Sequence, residues 1–532
     1  MKKSSALKSL QQAVQNSQTA TVPHLMVRAL AGTGKTTTLV EGLKFIRGLP
    51  LSIKNPTSQQ KAIWESLSRS KDAVKVGFLA FNKTIAVELA KRIPEDCEAM
   101  TNHSFGMSIL KNSFDFRLKV NEYRSNNLIA KLLGEDPFNL KGETYVKMDL
   151  TKSLVSLCKM TLTVPTKGNL EQLADYYDID LGKYSSEVYE LVPQVLDLCL
   201  QVQKDKEIDF DDMVWLPTAL NLPYPKYDLL LIDESQDLNR AQQELVLRAG
   251  KRLVFVGDEK QAIYGFAGAD NESITRLSEV LSKTPQGCEV LELTETFRCG
   301  RKIVELANQI VPELIANKGN CEGQVFRDTF DAETGYRSKV QQGDMILCRV
   351  NAPLVSECFK FLKMGMKAKV RGRSIGANLI SFVKQVQKQV NVKENQSEIE
   401  AFLDQVYLQS EADRAKENKK KYPSEFKLMG IDDREECIEI FASVVTTVKA
   451  LIEKIDSTFS DFKGNEILLS SIHKAKGLES KRVFLIEPGQ HTVPHPMAKT
   501  DWQLAGEQCL RYVAITRAIE ELYLVKGKYG KT

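Results

Sequence analysis

Two kinds of order run through the apolar and polar positions of this chain. The first is the short unbroken apolar run that stops on a charged or small residue. "KVGFLAF" (Lys75–Phe81), "YDLLLIDESQDLN" (Tyr227–Asn239) and the approach to "VGDEKQAIYGFAGAD" (Val256–Asp270) are of this kind. Such runs predict strands of a parallel sheet buried on both faces. The second kind is apolar residues at helical spacing. "YSSEVYELVPQVLDLCLQVQ" (Tyr184–Gln203) shows it, inside a stretch from about Lys111 to Lys206 that predicts amphipathic helices. "VRALAGTGKTTTLVEGL" (Val27–Leu43) passes from one kind to the other, with a turn on small residues between a strand and a helix. The pattern predicts an α/β chain with helical insertions. No apolar run approaches the roughly 18 residues needed to span a membrane.

The small-residue turn carries chemistry. From Ala29 the spacing is A-x-x-x-x-G-K-T, ending on Gly34, Lys35 and Thr36. Ala31, Gly32, Thr33 and Gly34, with the helix start at Lys35, Thr36 and Thr37, would close around the phosphates of a nucleoside triphosphate, helped by the positive end of the helix dipole. Lys35 would reach the β- and γ-phosphates, and Thr36 would bind Mg²⁺. The strict pattern has glycine where this chain has Ala29. Downstream, Leu229–Ile232 end in Asp233 and Glu234 at the carboxyl edge of the predicted sheet, where α/β proteins bind ligands. Asp233 would hold Mg²⁺ through its water shell, and Glu234 would orient and deprotonate an attacking water. A solvated acidic turn is the plain alternative, and it leaves the phosphate loop upstream without a purpose. Arg298 in "LTETFRCGRKI" and Arg517 in "RYVAITRA" could neutralise charge on the γ-phosphate. Arg301 reads as a surface or helix-start residue. Phe297, beside Arg298, offers a face to the base.

Taken together, the motifs resemble those of a superfamily 1 helicase of the UvrD/Rep/PcrA type, with features of the F-box DNA helicase branch. After the phosphate loop, "FLAFNKTIAVELAKRI" is similar to motif Ia and "TNHSFG" to motif Ib. "IDESQD" matches motif II, and "VGDEKQAIYGFAGAD" matches motif III. "ETFRCG" resembles motif IV and "CRVNAPL" the segment after it. "SSIHKAKGLESKRVFLI" matches motif V, and "RYVAITRA" motif VI. The matches keep the family's order and span residues 28 to 518. The resemblance implies an ATP- and Mg²⁺-dependent motor on single-stranded DNA and single/double-strand junctions, moving 3′ to 5′, in repair, recombination or replication. It implies that Gln261 contacts the γ-phosphate, while Tyr264 and Phe266 face the strand. An aromatic face stacks on any base without reading sequence. Phe81, Asn82, Thr101, His103 and His473 become strand-contacting candidates, and Glu479 a nucleotide-side residue. The chain also departs from the family, which usually has tryptophan at Phe266 and arginine at Ala267. The glutamine that reads adenine has two sets of candidates: Gln11, Gln12 and Gln15 before the phosphate loop, and Gln59 and Gln60 after it.

The motif spacing implies two RecA-like parallel-sheet motor domains, each with a mostly helical insertion. The first takes residues 1–110 and 207–290, interrupted by 111–206. The second takes 291–375 and 462–532, interrupted by 376–461, an insertion short for the family. That insertion holds a charge-rich run, "EADRAKENKKKYPSEF", which reads as a solvated helix or loop. Composition changes little. Hydrophobic residues make up 42% and charged residues 27%, ordinary for a soluble globular protein. The net charge of +4 allows a basic groove without demanding one. Ten scattered cysteines form no CxxC pair, and His473 has no partners at ligand spacing, so no zinc site or disulfide framework is expected. The N-terminus has no apolar core of a secretory signal, and a cytoplasmic, DNA-associated protein is expected. Two other functions fit the same motifs. One is a protein-displacing translocase that unwinds little, and the other is a nucleotide-gated interaction protein.

Overall fold

The structure is a computed structural model that describes residues 22–137, 142–177, 179–263, 273–331, 334–392, 396–419, 425–459, 464–489, 491–496, 498 and 501–527. The chain divides into two units, residues 1–294 and 295–532.

The first unit is built on a six-stranded parallel sheet. Its strands are β1 (His24–Ala29), β2 (Val76–Ala80), β3 (Cys97–Thr101), β4 (Tyr227–Ile232), β5 (Gly250–Gly257) and β6 (Cys288–Leu293), in the order β3-β2-β4-β5-β1-β6. The apolar runs are its central strands. Alternate residues serve opposite faces. Leu230, Ile232, Leu253 and Phe255 pack with one set of helices. Leu229, Leu231, Val254 and Val256 pack with the other. Strands clothed on both sides need no polar face, which is why their sequences read as unbroken runs. The domain change expected near residue 291 falls inside β6. That strand pairs with β1 from His24–Cys288 to Ala29–Leu293, so the division comes after Thr294 instead.

Helices α1 (Lys35–Ile46), α2 (Ser58–Ser68), α3 (Lys83–Ala90) and α4 (Asn102–Ser113) follow the first three strands. Residues 124–200 add the helices Arg124–Leu133, Gly142–Thr161, Lys167–Tyr176 and Ser185–Leu200 around their own core, where Leu154, Leu170, Val188, Val192 and Val195 meet. The apolar spacing of Tyr184–Gln203 is therefore that of a helix within a bundle.

The second unit repeats the plan. Strands β7 (Gln324–Asp328), β8 (Met345–Cys348), β9 (Ala368–Val370), β10 (Ile467–Ser471), β11 (Ser480–Pro488) and β12 (Ala518–Gly527) form a parallel sheet in the order β7-β12-β11-β8-β10-β9. Helices Arg373–Gln387, Glu398–Asn418, Glu425–Ala442 and Val448–Thr458 lie between β9 and β10. The fold is α/β: two RecA-like parallel sheets, each interrupted by helices. The charge-rich run lies partly on Glu398–Asn418. There Arg414 pairs with Asp432 and Glu435, and Asp413 pairs with Arg434, so these charges fasten one helix to the next.

Candidate active site

At the carboxyl edge of the first sheet, β1 hands the chain to α1 through Leu30–Gly34. Ala29 is the last residue of β1 and sits in register with Leu293. It is buried strand with no need of a left-handed backbone, so alanine serves where the strict pattern has glycine. The left-handed positions come later, at Gly32 (φ 70°) and Gly34 (φ 75°), where glycine is at ease and other residues are strained. Thr33 folds back to donate to Leu30 O at 2.9 Å. The loop therefore presents the first N–H groups of α1 at a left-handed turn, the geometry that receives phosphate.

Thr36 and Asp233 are 197 positions apart and meet: the Thr36 hydroxyl donates to Asp233 Oδ2. Asp233 is 3% exposed. Burial and the neighbouring Glu234 carboxylate push its pKa up to about 6. The Lys35 ammonium acts in the other direction on both Asp233 and Asp258. A buried, proton-hungry carboxylate bonded to a hydroxyl is an oxygen donor set of the kind that would hold Mg²⁺. Among the described residues no cluster of three or more His, Cys, Asp or Glu side chains forms a separate metal site. Thr37 accepts a bond from Arg92 Nη2 at 3.0 Å, which brings an arginine from the end of α3 to the start of α1.

Glu234 has left-handed backbone (φ 51°), a costly setting for a residue with a side chain. Its Oε2 accepts from Gln236 Nε2 at 2.5 Å. Gln236 Oε1 accepts from Asp258 N–H at 3.0 Å, and Asp258 Oδ2 accepts from Gln261 Nε2 at 2.6 Å. Lys35, Thr36, Asp233, Glu234 and Gln261 thus belong to one neighbourhood. Gln236 and Asp258 join it without having been singled out from sequence. The one signal for Gln236 was its place two residues after Glu234.

Beside this, β2 and β3 end together, with Ala80 in register with Thr101. Phe81 is 40% exposed there. Asn82 and Thr101 cap α3 and α4: Asn82 Oδ1 accepts from Ile85 N–H at 2.9 Å, and Thr101 Oγ1 from Ser104 N–H at 3.1 Å. Burial lowers the pKa of His103. Tyr264, Phe266 and Ala267 lie outside the described residues, as do Gln11, Gln12 and Gln15. Gln59 and Gln60 both have tasks on α2. Gln59 exchanges two bonds of 3.0 Å with Thr294, and buried Gln60 completes the Thr57 capping box and donates to Thr38 Oγ1 at 3.2 Å.

In the second unit, Arg298 Nε pairs with Glu479 Oε2 at 2.5 Å, and its Nη1 donates to Thr516 O at 3.2 Å. Arg517 is 1% exposed and donates to Val513 O (2.9 Å), Leu478 O (3.1 Å) and Thr516 Oγ1 (3.1 Å). The two arginines and Glu479 therefore cluster around the Leu478 and Thr516 turns, with Phe297 44% exposed beside them. Arg301 starts a helix and pairs with Glu322. His473 stands elsewhere, lining a cavity of about 150 Å³ with Arg349, Asn351, Asp433 and Ser471. Burial, then the Arg349 charge, hold the His473 imidazole well below its ordinary pKa. Arg349 and Asn351 lie in "CRVNAPL", and the sequence alone did not mark them as functional.

A family model described as the UvrD/REP helicase N-terminal domain matches residues 8–281. Curated relatives agree with it. The ATP-dependent DNA helicase PcrA of Bacillus subtilis is 24% identical, over 96% of this chain and 82% of that protein. F-box DNA helicase protein 1 of Schizosaccharomyces pombe is 25% identical, over 94% of this chain and 55% of its own length. The mitochondrial ATP-dependent DNA helicase HMI1 of Saccharomyces cerevisiae is 29% identical, over 33% of this chain. The match spans 25% of that protein. Among the described residues no helix is long and apolar enough to cross a membrane. With its phosphate loop, its acidic strand end and these matches, the chain belongs to the UvrD/REP helicase family.

Proposed function

We propose that this chain is an ATP-driven DNA helicase that moves 3′ to 5′ on single-stranded DNA and separates duplexes at junctions. The observation that carries the reading is the bond between Thr36 and Asp233, which brings the phosphate loop and the acidic strand end into one site. In this reading the N–H groups from Ala31 to Thr37 hold the phosphates of ATP, and Lys35 draws charge from the β- and γ-phosphates. Thr36 and Asp233 hold Mg²⁺, which when bound neutralises phosphate charge. Glu234 takes a proton from the water that attacks the γ-phosphorus, the bond to the β-phosphate oxygen breaks, and ADP leaves. Gln261 senses the γ-phosphate. Arg298 and Arg517 stabilise the charge of the transition state, and Phe297 and Glu479 attend the nucleotide. Phe81, Asn82, Thr101, His103, Tyr264, Phe266 and His473 contact the strand. The paired starts of α3 and α4 support the strand assignment, because helix N-termini favour phosphate.

The test is strand displacement on duplexes with a 3′ or a 5′ tail, with ATP hydrolysis measured with and without single-stranded DNA. Displacement of the 3′-tailed duplex alone, with DNA-stimulated hydrolysis, is expected. Lys35→Ala and Glu234→Gln should lose hydrolysis, and Glu234→Gln should still bind ATP, because the amide keeps the shape. Stimulated hydrolysis without displacement would favour the protein-displacing translocase. Full turnover by Glu234→Gln would refute the catalytic assignment.

A further inference from the structure

Gln236 has no task in the reaction as described, yet it is 1% exposed and both ends of its amide are engaged. The orientation of that amide is settled by its partners. Asp258 N–H can only donate, so it faces Oε1, and the NH₂ group is left to face the Glu234 carboxylate. The main chain leaves room for this arrangement. A Cβ on Gly257 would come within 2.5 Å of Gln236 Oε1 and 2.6 Å of Ser235 Oγ, so the end of β5 is bare where the amide passes. Three hydrogen bonds then run in series from Glu234 to Gln236, to the Asp258 main chain, and from its carboxylate to Gln261. All but Glu234 are buried, so little water competes with the series.

A glutamate that must take a proton from one particular water needs a fixed lone pair. Three free side-chain torsions would spread its carboxylate over many positions. An amide donor on the carboxylate removes much of that freedom. We propose that Gln236 is a positioning residue: it holds the Glu234 carboxylate toward the attacking water and ties that orientation, through Asp258, to Gln261. A movement of Gln261 on meeting or losing a γ-phosphate then reaches the base through three bonds, without any change of fold. The inference rests on the reading of this site as an ATPase.

The experiment uses the full chain and two variants. Gln236→Met keeps the length without polar atoms, and Gln236→Ala removes both. Phosphate release at saturating ATP and single-stranded oligonucleotide gives kcat, a fluorescent non-hydrolysable ATP analogue gives nucleotide affinity, and thermal melting reports the fold. Both variants should lose kcat alike, by about 10- to 100-fold, a part of what a general base contributes, with analogue affinity kept within about threefold. If Gln236 only fills space, the Met variant will turn over like the parent, or the Ala variant will lose kcat, affinity and melting temperature together. Either result overturns the proposal. Gly257→Ala reaches the same point while leaving Gln236 in place, by crowding its Oε1. A folded Gly257→Ala protein with unchanged kcat also overturns it. A parent protein that binds the analogue but never hydrolyses ATP would refute the ATPase reading itself, before any variant is made, and this proposal with it.

Discussion

Single residues show where local chemistry is strained and what the strain serves. Glu234 holds a left-handed backbone directly after the buried strand β4, at a cost of about 1–3 kcal/mol that the surrounding contacts must offset. The turn aims Asp233 at Thr36 and Glu234 at Gln236. His24 shows a different pressure. It opens β1, is 1% exposed, and its Nδ1 accepts the Leu253 N–H at 3.0 Å. Burial, then the Arg252 charge, lower its pKa from 6.5 to about 4. The sign follows from that direction. Below about pH 6.5 the unfolded chain takes up a proton that the folded chain refuses, so stability falls as pH drops toward 4. Between pH 7.5 and 5 this one group should cost about 2 kcal/mol. His24→Asn keeps an acceptor for Leu253 without the titration. Urea unfolding of both proteins at the two pH values should show the parent losing about that much more than the variant. Equal losses would show that His24 does not titrate in this way.

At the scale of elements, buried charge joins the inserted helices to the sheet. Lys159, 1% exposed, pairs with Asp209 at 2.9 Å and Asp212 at 2.8 Å. Arg124, equally buried, pairs with Asp212 at 2.7 Å and Asp205 at 2.9 Å. Asp209 and Asp212 also form the capping box of the helix Phe210–Ala219, which leads toward β4. One polar cluster therefore fixes two insertion helices and the return to the sheet. Removing one partner strands buried charge. Lys159→Met should destabilise the protein by about 3–5 kcal/mol in denaturant unfolding, and adding Asp212→Asn should cost less than the sum of the two single changes. Additive losses would mean that the two charges act independently. The amphipathic spacing of this region was plain in the sequence. The cluster was not, because nothing in "EIDFDDMVWLP" names Lys159 or Arg124, about 50 to 90 positions earlier, as the partners of its aspartates.

For the whole molecule, the question is whether both units serve one reaction. The phosphate loop lies in the first unit, and the cluster of Arg298, Glu479 and Arg517 lies in the second. Arg298→Ala should slow ATP hydrolysis by orders of magnitude, on the scale of about 10³-fold for an arginine finger, with a smaller change in nucleotide affinity. Arg517→Ala should also lower the melting temperature, since three donors of a buried guanidinium would be lost. Normal turnover in both variants would confine the chemistry to the first unit. By itself the sequence determined the parallel strands, the phosphate loop, the acidic strand end and the order of the motifs. Each of these is written in residue types at short spacing, and local backbone geometry translates such spacing directly. Only the tertiary structure decided that Thr36 touches Asp233, that Gln59 and Gln60 are occupied by Thr294 and Thr38, that Arg517 is buried among carbonyls, and that Gln236 links Glu234 to Asp258. Most of these contacts join residues far apart in the chain. A hydrogen-bond donor carries no mark of its acceptor until packing has spent the other candidates and left one within reach.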